Sequence, residues 1–157
     1  MKVTLLVVGK TDKAFIKEAV NEYSKRLKHY VGFEIEVIPD IKKAKNNTFE
    51  MQKNKEGENI LARNFAGKEM HLFDEKGKMY SSKEFAAFIE KKMVSGLKEL
   101  VFVIGGPYGF SEKVYKKANS KISLSRMTFS HQMARLLCVE QIYRAFTILN
   151  GEPYHHE

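Results

Sequence analysis

The chain has 157 residues, 43% of them hydrophobic, which is enough apolar material for a single domain over residues 1–157. Its 27 basic and 19 acidic residues give a net charge of +8, which favours a polyanionic partner such as RNA over an acidic protein. The single cysteine excludes an intramolecular disulfide, so the cytoplasm is the expected compartment. The apolar run at residues 3–8 is too short for a signal-peptide core or a membrane span, so we expect no membrane partner.

Five short β-rich runs alternate with amphipathic segments along the chain. They predict an α/β domain with a largely parallel sheet flanked by helices. The predicted strands are residues 3–8, 33–38, 69–73, 100–104 and 122–125. The densest basic run of the chain, Lys42, Lys43 and Lys45, falls between the second strand and the next helix. An ordinary solvated loop is the commoner meaning of such a run, so we assign no phosphate site to it.

Four amphipathic segments have the features of helices. In the first, Phe15, Val20 and Leu27 are the apolar positions, and a second segment begins near Thr48 with Ile60, Leu61 and Phe65 on its apolar side. Ser81 and Glu84 form a capping box that opens a third helix, which ends near Gly96. The last helix is predicted from about Ser130 to Leu149, and Gly151 supplies the left-handed residue that ends it.

A glycine-rich loop follows the fourth predicted strand, in the segment FVIGGPYGF at residues 102–110. Gly105, Gly106 and Gly109 would let the backbone approach a ligand closely, and Ser111 is a candidate N-cap for a helix after the loop. A tight strand-to-helix turn without a ligand is equally compatible with these residues. Neither the dinucleotide fingerprint nor the lysine-containing phosphate loop is matched, which disfavours NAD and ATP.

A second loop, LSRMTF at residues 124–129, leaves the fifth predicted strand. Because the carboxyl ends of parallel strands meet at one edge of a sheet, the two loops could form the walls of one pocket. Arg126 could orient a polar ligand there, although an ordinary surface arginine is the commoner case.

The last helix and the tail after it carry a third group of polar residues. Glu140 and Arg144 have the spacing of a helical ion pair, and a purely structural pair is equally open. In the tail, Tyr154 could stack on a base and His155 could exchange a proton, unless the terminus is frayed. His155 and His156 lack the spaced partners of a metal site, so no metal is expected. The residues alone thus predict an α/β ligand-binding protein with a basic surface.

Six segments together resemble one bacterial family over the whole chain and in the same order. They are VVGK, NKEGENIL, DEKGKMYSS, FVIGGPYGF, LSRMTFSHQMARLLCVEQIYRAF and GEPYHHE. The family is the ribosomal RNA large subunit methyltransferase H family, which methylates N3 of a pseudouridine in 23S rRNA. The resemblance implies a SPOUT fold with a C-terminal trefoil knot, a homodimer in the cytoplasm, and 23S rRNA or the assembled ribosome as partner.

The resemblance also implies S-adenosyl-L-methionine as the cofactor, and it implies roles for individual residues. The matching cofactor-binding positions are Phe73, Gly105, Leu124, Ser125, Arg126, Met127, Thr128 and Phe129. Relatives often carry leucine where this chain has Phe73. The catalytic positions are Tyr154 and His155 at the target nucleotide, with Arg144 holding the substrate or the tail. His156 stands where relatives usually have arginine or lysine, which weakens an expected phosphate contact.

Two other functions are considered beside the methyltransferase. The first is a non-enzymatic RNA-binding factor of the ribosome that keeps the fold without the reaction. The second is a dinucleotide-dependent oxidoreductase, for which Asp40 after the second strand could hold a ribose. The glycine fingerprint that should precede this aspartate is missing, so the oxidoreductase is disfavoured.

Overall fold

A computed structural model describes residues 1–41 and 48–156 of the chain. The lysine run at 42, 43 and 45 therefore lies outside the described residues. The elements of the described part, in chain order, are β1 Lys2–Val8, α1 Ala14–Leu27, β2 Gly32–Ile38, α2 Phe49–Leu61, β3 Lys68–Met79, α3 Ser82–Val94, β4 Glu99–Ile104, α4 Glu112–Lys117, β5 Ser120–Ser123 and α5 His131–Leu149. Among these described residues, no helix is long and apolar enough to cross a membrane.

The strands form one sheet in the order β2-β1-β4-β3-β5, and every pairing is parallel. The predicted α/β architecture with a parallel sheet is therefore confirmed. All six residues of β4 are buried, as expected for a central parallel strand that is covered on both faces. The trefoil knot that the resemblance implies stays a prediction.

The two faces of the sheet carry two separate cores. Leu5 and Phe102 point to one face, where they join the buried residues of α1, α3 and α5. Leu6 and Val103, their neighbours along the strands, point to the other face, where α2 and α4 pack. This alternation follows from the two-residue period of β-strands. The carboxyl ends of β3, β4 and β5 thus lie between two helix layers.

Two strands differ from their predicted bounds by more than one residue. β3 continues to Met79 instead of ending at residue 73, because its pairing with β5 resumes at Lys78 after a register shift that begins at Phe73. A side chain at Gly77 would bring its Cβ within 2.5 Å of the Ile122 backbone nitrogen, so this close approach requires glycine. β5 spans residues 120–123, whereas the prediction was 122–125.

The helix ends agree better with the sequence. The capping box of Ser81 and Glu84 is present, and α5 ends where Gly151 has a φ of +66°. The expectation that Phe15 lies on the apolar side of α1 is wrong: it is 67% exposed, because Ile16 occupies the inward position of the first turn. Phe65 packs against the core as expected, but it lies beyond the end of α2.

Candidate functional site

A cavity of about 460 Å³ opens at the carboxyl ends of β3, β4 and β5. Its volume lies in the range of roughly 300–1,000 Å³ that is typical of small-molecule sites. The cavity is lined by Phe73, Asp74, Glu75, Lys76, Ile104, Gly105, Gly106, Pro107, Tyr108, Gly109, Phe110, Tyr115, Ser123, Leu124, Ser125, Met127, Thr128, Phe129, His131 and Ala134. The glycine loop and the 124–129 loop thus form walls of one cavity, as their positions in the sequence had suggested.

The backbone of the glycine loop forms one wall. A Cβ at Gly105 would lie 3.0 Å from the Phe110 ring, and a Cβ at Gly106 would lie 2.6 Å from a carboxylate oxygen of Glu56. Gly109 has a φ of +79°, and its amide donates a hydrogen bond to the Gly106 carbonyl at 3.2 Å. The loop therefore forms a tight turn that leaves no room for side chains at Gly105 and Gly106. Its backbone can approach a ligand without intervening side chains.

Hydrogen bonds within the second loop hold the opposite wall. The Ser123 hydroxyl donates to the Ser125 carbonyl at 2.9 Å, and the Ser125 hydroxyl accepts from the Met127 amide at 3.0 Å. Seven of the eight cofactor positions suggested by the resemblance line the cavity. Arg126 is the exception among these described residues, since it is exposed and does not contribute to the wall.

The third wall was not expected from the sequence. It consists of residues 74–76, where the pairing of β3 with β5 is interrupted, together with Tyr115 of α4. The Tyr115 hydroxyl donates a hydrogen bond to the Asp74 carboxylate. Burial and this carboxylate raise the pKa of Tyr115 to about 12, so the hydroxyl stays protonated near neutral pH. The run Asp-Glu-Lys-Gly has the composition of a turn, but no local signal places it beside α4.

The first turn of α5 closes the cavity and is tied to the end of β1. His131 and Ala134 line the cavity, and the next residue, Arg135, is only 3% exposed. Its guanidinium donates to the Val8 carbonyl at 2.6 Å and to the Thr11 hydroxyl at 3.0 Å. Burial lowers the pKa of Arg135, but an arginine remains charged at neutral pH. Arg135 thus fixes the position of the α5 start.

The suggested catalytic residues form a second cluster, further along α5. The Arg144 guanidinium donates to Glu140 Oε1 at 2.6 Å and to His155 Nδ1 at 3.2 Å. The Tyr154 hydroxyl donates to the same Glu140 oxygen at 2.9 Å, and its ring makes an edge contact with Tyr143. The expected ion pair of Glu140 and Arg144 is thus present, and the tail packs against the helix instead of fraying.

The structure does not bring the two groups of predicted site residues together within one chain. The cavity is bordered by Ala134, whereas the tail is held at Glu140, Tyr143 and Arg144 of the same helix. At 1.5 Å per residue, these positions are separated by roughly 9–15 Å along the helix axis. A tail held in this way stays roughly two to three helical turns from the cavity of its own chain.

Other kinds of reactive site find little support in the described part of the chain. Within residues 1–41 and 48–156, no group of three or more His, Cys, Asp or Glu side chains could hold a metal ion. Cys138 is fully buried, and burial raises the pKa of its thiol well above the usual value. It is therefore packed and protonated.

Comparison with known proteins identifies the family of this chain. A family model described as "Predicted SPOUT methyltransferase" matches residues 1–155. A protein of Parabacteroides distasonis named ribosomal RNA large subunit methyltransferase H is 61% identical over the full length of both chains. A protein of Christiangramia forsetii with the same name is 58% identical over 99% of both. The solved structure of a probable methylase family protein from Haemophilus influenzae matches 99% of this chain and 70% of that one, with a TM-score of 0.53 at 11% identity, which supports the fold alone.

Proposed function

The chain belongs to the SPOUT methyltransferase family and is an S-adenosylmethionine-dependent ribosomal RNA methyltransferase, and we propose that its target is N3 of a pseudouridine in 23S rRNA of the large subunit. The cavity between the glycine loop and the 124–129 loop suits the cofactor and carries the methyl-transfer part of the proposal, while the target base rests on the resemblance to the methyltransferase H family. The net charge of +8 suits a phosphate-rich substrate. We further propose that the reaction takes place in the cytoplasm and that the C-terminal part of the chain forms a trefoil knot.

The chemistry of the cavity fits S-adenosylmethionine. Phe73, Ile104 and Leu124 offer an apolar surface for a flat base, while Ser125 and Thr128 offer hydroxyls for the polar part of the cofactor. The glycine backbone leaves room for close approach. The cofactor supplies an electrophilic methyl group when bound, so the protein mainly has to align the target nitrogen and allow its proton to leave.

We assign the alignment of the target nucleotide to the tail. The Arg144 guanidinium lies over the Tyr154 ring, 4.7 Å from its centroid, and donates to His155, so it holds both residues in place. The aromatic ring in the tail gives a base a surface on which to stack. Burial and hydrogen bonds to Tyr23 and Glu140 raise the pKa of Tyr154, so its hydroxyl acts as a hydrogen-bond donor and not as a tyrosinate base.

We propose that the working enzyme is a homodimer in which the tail of one subunit completes the cavity of the other. The separation of tail and cavity along α5 supports this arrangement. So do exposed apolar side chains near the start of α5, where Met127, Phe129 and Met133 are 76%, 38% and 38% exposed. Phe15 at the start of α1 is 67% exposed, and the hydrogen bond from the Asp12 amide to Gln132 brings the starts of α1 and α5 together. A second copy of the chain would cover such a surface and could bring a tail with it.

The cofactor site is tested by calorimetry with S-adenosylmethionine in metal-free buffer. Gly105→Arg should abolish binding, because its side chain would meet the Phe110 ring and fill the cavity. Gly32→Arg is the matched control, because Gly32 has no atom near its Cβ position and lies far from the cavity at the start of β2. Unchanged binding by Gly105→Arg would remove this loop from the cofactor site. A wild-type protein that binds RNA but no cofactor would indicate the non-enzymatic RNA-binding factor instead.

The target base is tested with two RNA substrates that differ only in one nucleoside. Methylation should appear on RNA that carries pseudouridine at the target and not on the same RNA with uridine, as measured by mass mapping of fragments. Equal methylation of both would contradict the proposed target. Assaying free 23S rRNA and assembled ribosomes side by side identifies which of them the enzyme recognises.

A further inference from the structure

Helix α2 supports the glycine loop from behind without taking part in the cavity. None of the described residues that line the cavity belongs to α2. At the first residue of the helix, the Phe49 ring stacks on Tyr108 of the loop, with centroids 4.2 Å apart and an interplanar angle of 27°. Further along, a Cβ at Gly57 would lie 2.4 Å from the hydroxyl of Ser111, where the loop ends. The helix thus touches the loop at its middle and at its end.

A third contact between the two lies under the cavity wall itself and involves a buried carboxyl group. Glu56 is only 2% exposed, and its Oε1 accepts a hydrogen bond from the Gln52 amide at 3.2 Å. Within the described residues, its Oε2 has no hydrogen-bond partner. A Cβ on Gly106 would lie 2.6 Å from Oε2 and 2.9 Å from Oε1, so the carboxyl occupies the space of the side chain that Gly106 lacks.

A carboxyl group in this position is costly for folding alone. Burial raises its pKa, the hydrogen bond from Gln52 opposes this rise, and the charge of Asp40 adds to it. A buried polar oxygen without a partner costs free energy that an apolar side chain of the same shape would not. Glu56 packs against a glycine loop that must keep a tight curvature. Holding this loop in shape would explain why a carboxyl group that does not favour stability is placed here.

We propose that Glu56 is a positioning residue for the cofactor site: its carboxyl packs against Gly106 and, with α2 as a rigid base, holds the glycine loop in the curvature that forms the cavity wall. This inference rests on the proposed cofactor cavity. Glu56 does not touch the cavity, so its effect passes through the Gly106 backbone. Substitutions of Glu56 and Gly106 should therefore have non-additive effects on cofactor binding.

The test is a double-mutant cycle on binding of S-adenosylhomocysteine, measured by calorimetry. Glu56→Ala should weaken binding about tenfold, whereas Glu56→Gln, which keeps the shape, should stay within about threefold of wild type. Gly106→Ala should weaken binding about tenfold in the wild-type background, because its Cβ displaces the carboxyl. In the Glu56→Ala background the same Cβ has room, so adding Gly106→Ala should cost less than about twofold. Glu58→Ala, an exposed neighbour on α2, is the control and should bind normally.

A positioning role also predicts how the loss divides between the kinetic constants. Glu56→Ala should raise KM for S-adenosylmethionine and leave kcat nearly unchanged, because binding and not chemistry depends on the loop. If the alanine variant does not fold, the cycle is run with Glu56→Asp, whose shorter side chain withdraws the carboxyl from Gly106. Equal effects of Gly106→Ala in both backgrounds would overturn the proposal. So would wild-type binding by Glu56→Ala while Gly105→Arg binds nothing; if Gly105→Arg also binds normally, the cofactor cavity itself is misassigned.

Discussion

The two ends of helix α5 are held in different ways. The first end borders the cavity, and there Met133 stays 38% exposed while Arg135 is tied to the end of β1. The second end is covered by the chain's own tail, and Glu140 gathers hydrogen bonds from Arg144 and Tyr154. The first end is thus exposed beside the cavity, and the second is closed by local contacts.

In the proposed mechanism, this difference lets one helix serve two parts of the reaction. The cavity needs a fixed wall, which the buried Arg135 provides by anchoring the first turn. The tail needs a fixed direction, which the Glu140 carboxylate provides by accepting from both the helix and the tail. Because a single chain holds the two groups apart, a symmetric pair of chains is the simplest arrangement that brings them together.

The largest effect is expected from mixing two inactive chains. Gly105→Arg has a blocked cavity and an intact tail, while a chain truncated after Gly151 has an intact cavity and no tail. In a purified mixed dimer, one of the two sites should receive an intact cavity and an intact tail, so about half of the wild-type activity should return. The measurement is methylation of the natural RNA substrate by co-expressed, separately tagged chains.

The parent dimers serve as controls for that experiment, because each should be inactive by itself. If tails act on the cavity of their own chain, both sites of the mixed dimer lack one component. Absence of activity in a verified mixed dimer would therefore contradict the shared site. The difference between the two ends of α5 would then have no role in catalysis.

A smaller effect is expected from loosening the closed end alone. Glu140→Gln removes the charge that holds Arg144 and Tyr154, so the tail should lose its fixed direction and kcat should fall about thirtyfold. Binding of S-adenosylhomocysteine should stay unchanged, because Glu140 lies outside the cavity wall. The control is Glu50→Gln, which breaks an ion pair with Lys53 on α2, away from the tail, and should leave kcat unchanged. A parallel loss of cofactor binding would mean that the two ends are coupled.

Local sequence signals were enough to predict the bounds of α5, its ion pair and the glycine loop. The start and end of α5 follow from Ser130 and Gly151, and the pair of Glu140 and Arg144 follows from spacing on a helix. The glycine loop was also predictable, since a strand followed by glycines at a sheet edge is a local pattern. These features depend only on residues that are close in sequence.

Contacts between distant segments could not be predicted from the residues alone. The hydrogen bond of Arg135 to Val8 joins positions 127 residues apart, and the support of Gly106 by Glu56 also depends on how the layers pack. The prediction that Phe15 lies on the buried side of α1 failed because its apolar side chain faces outward. An exposed apolar side chain can be explained by a partner that covers it, and the hydrophobic pattern of one sequence gives no information about such a partner.

The smallest effect is expected from the Tyr154 hydroxyl. Tyr154→Phe keeps the ring against Tyr143 and under the Arg144 guanidinium, and it removes the contacts of the hydroxyl with Glu140 and Tyr23. Arg144 still holds His155, so the tail should keep most of its order, and kcat should fall by only about threefold.

The pH dependence of the rate separates this positioning role from a direct role in proton transfer. Burial, followed by hydrogen bonds to Tyr23 and Glu140, raises the pKa of Tyr154, so the folded protein keeps the neutral hydroxyl until well above the usual tyrosine range. If a Tyr154 tyrosinate accepted the N3 proton, the wild-type rate would rise about tenfold per pH unit below that pKa, and Tyr154→Phe would abolish both the rise and the activity. We expect instead that wild type and Tyr154→Phe give pH–rate profiles of the same shape, displaced by a constant factor. Such a displacement means that the closed end of α5 orients the tail and that the proton leaves by another route.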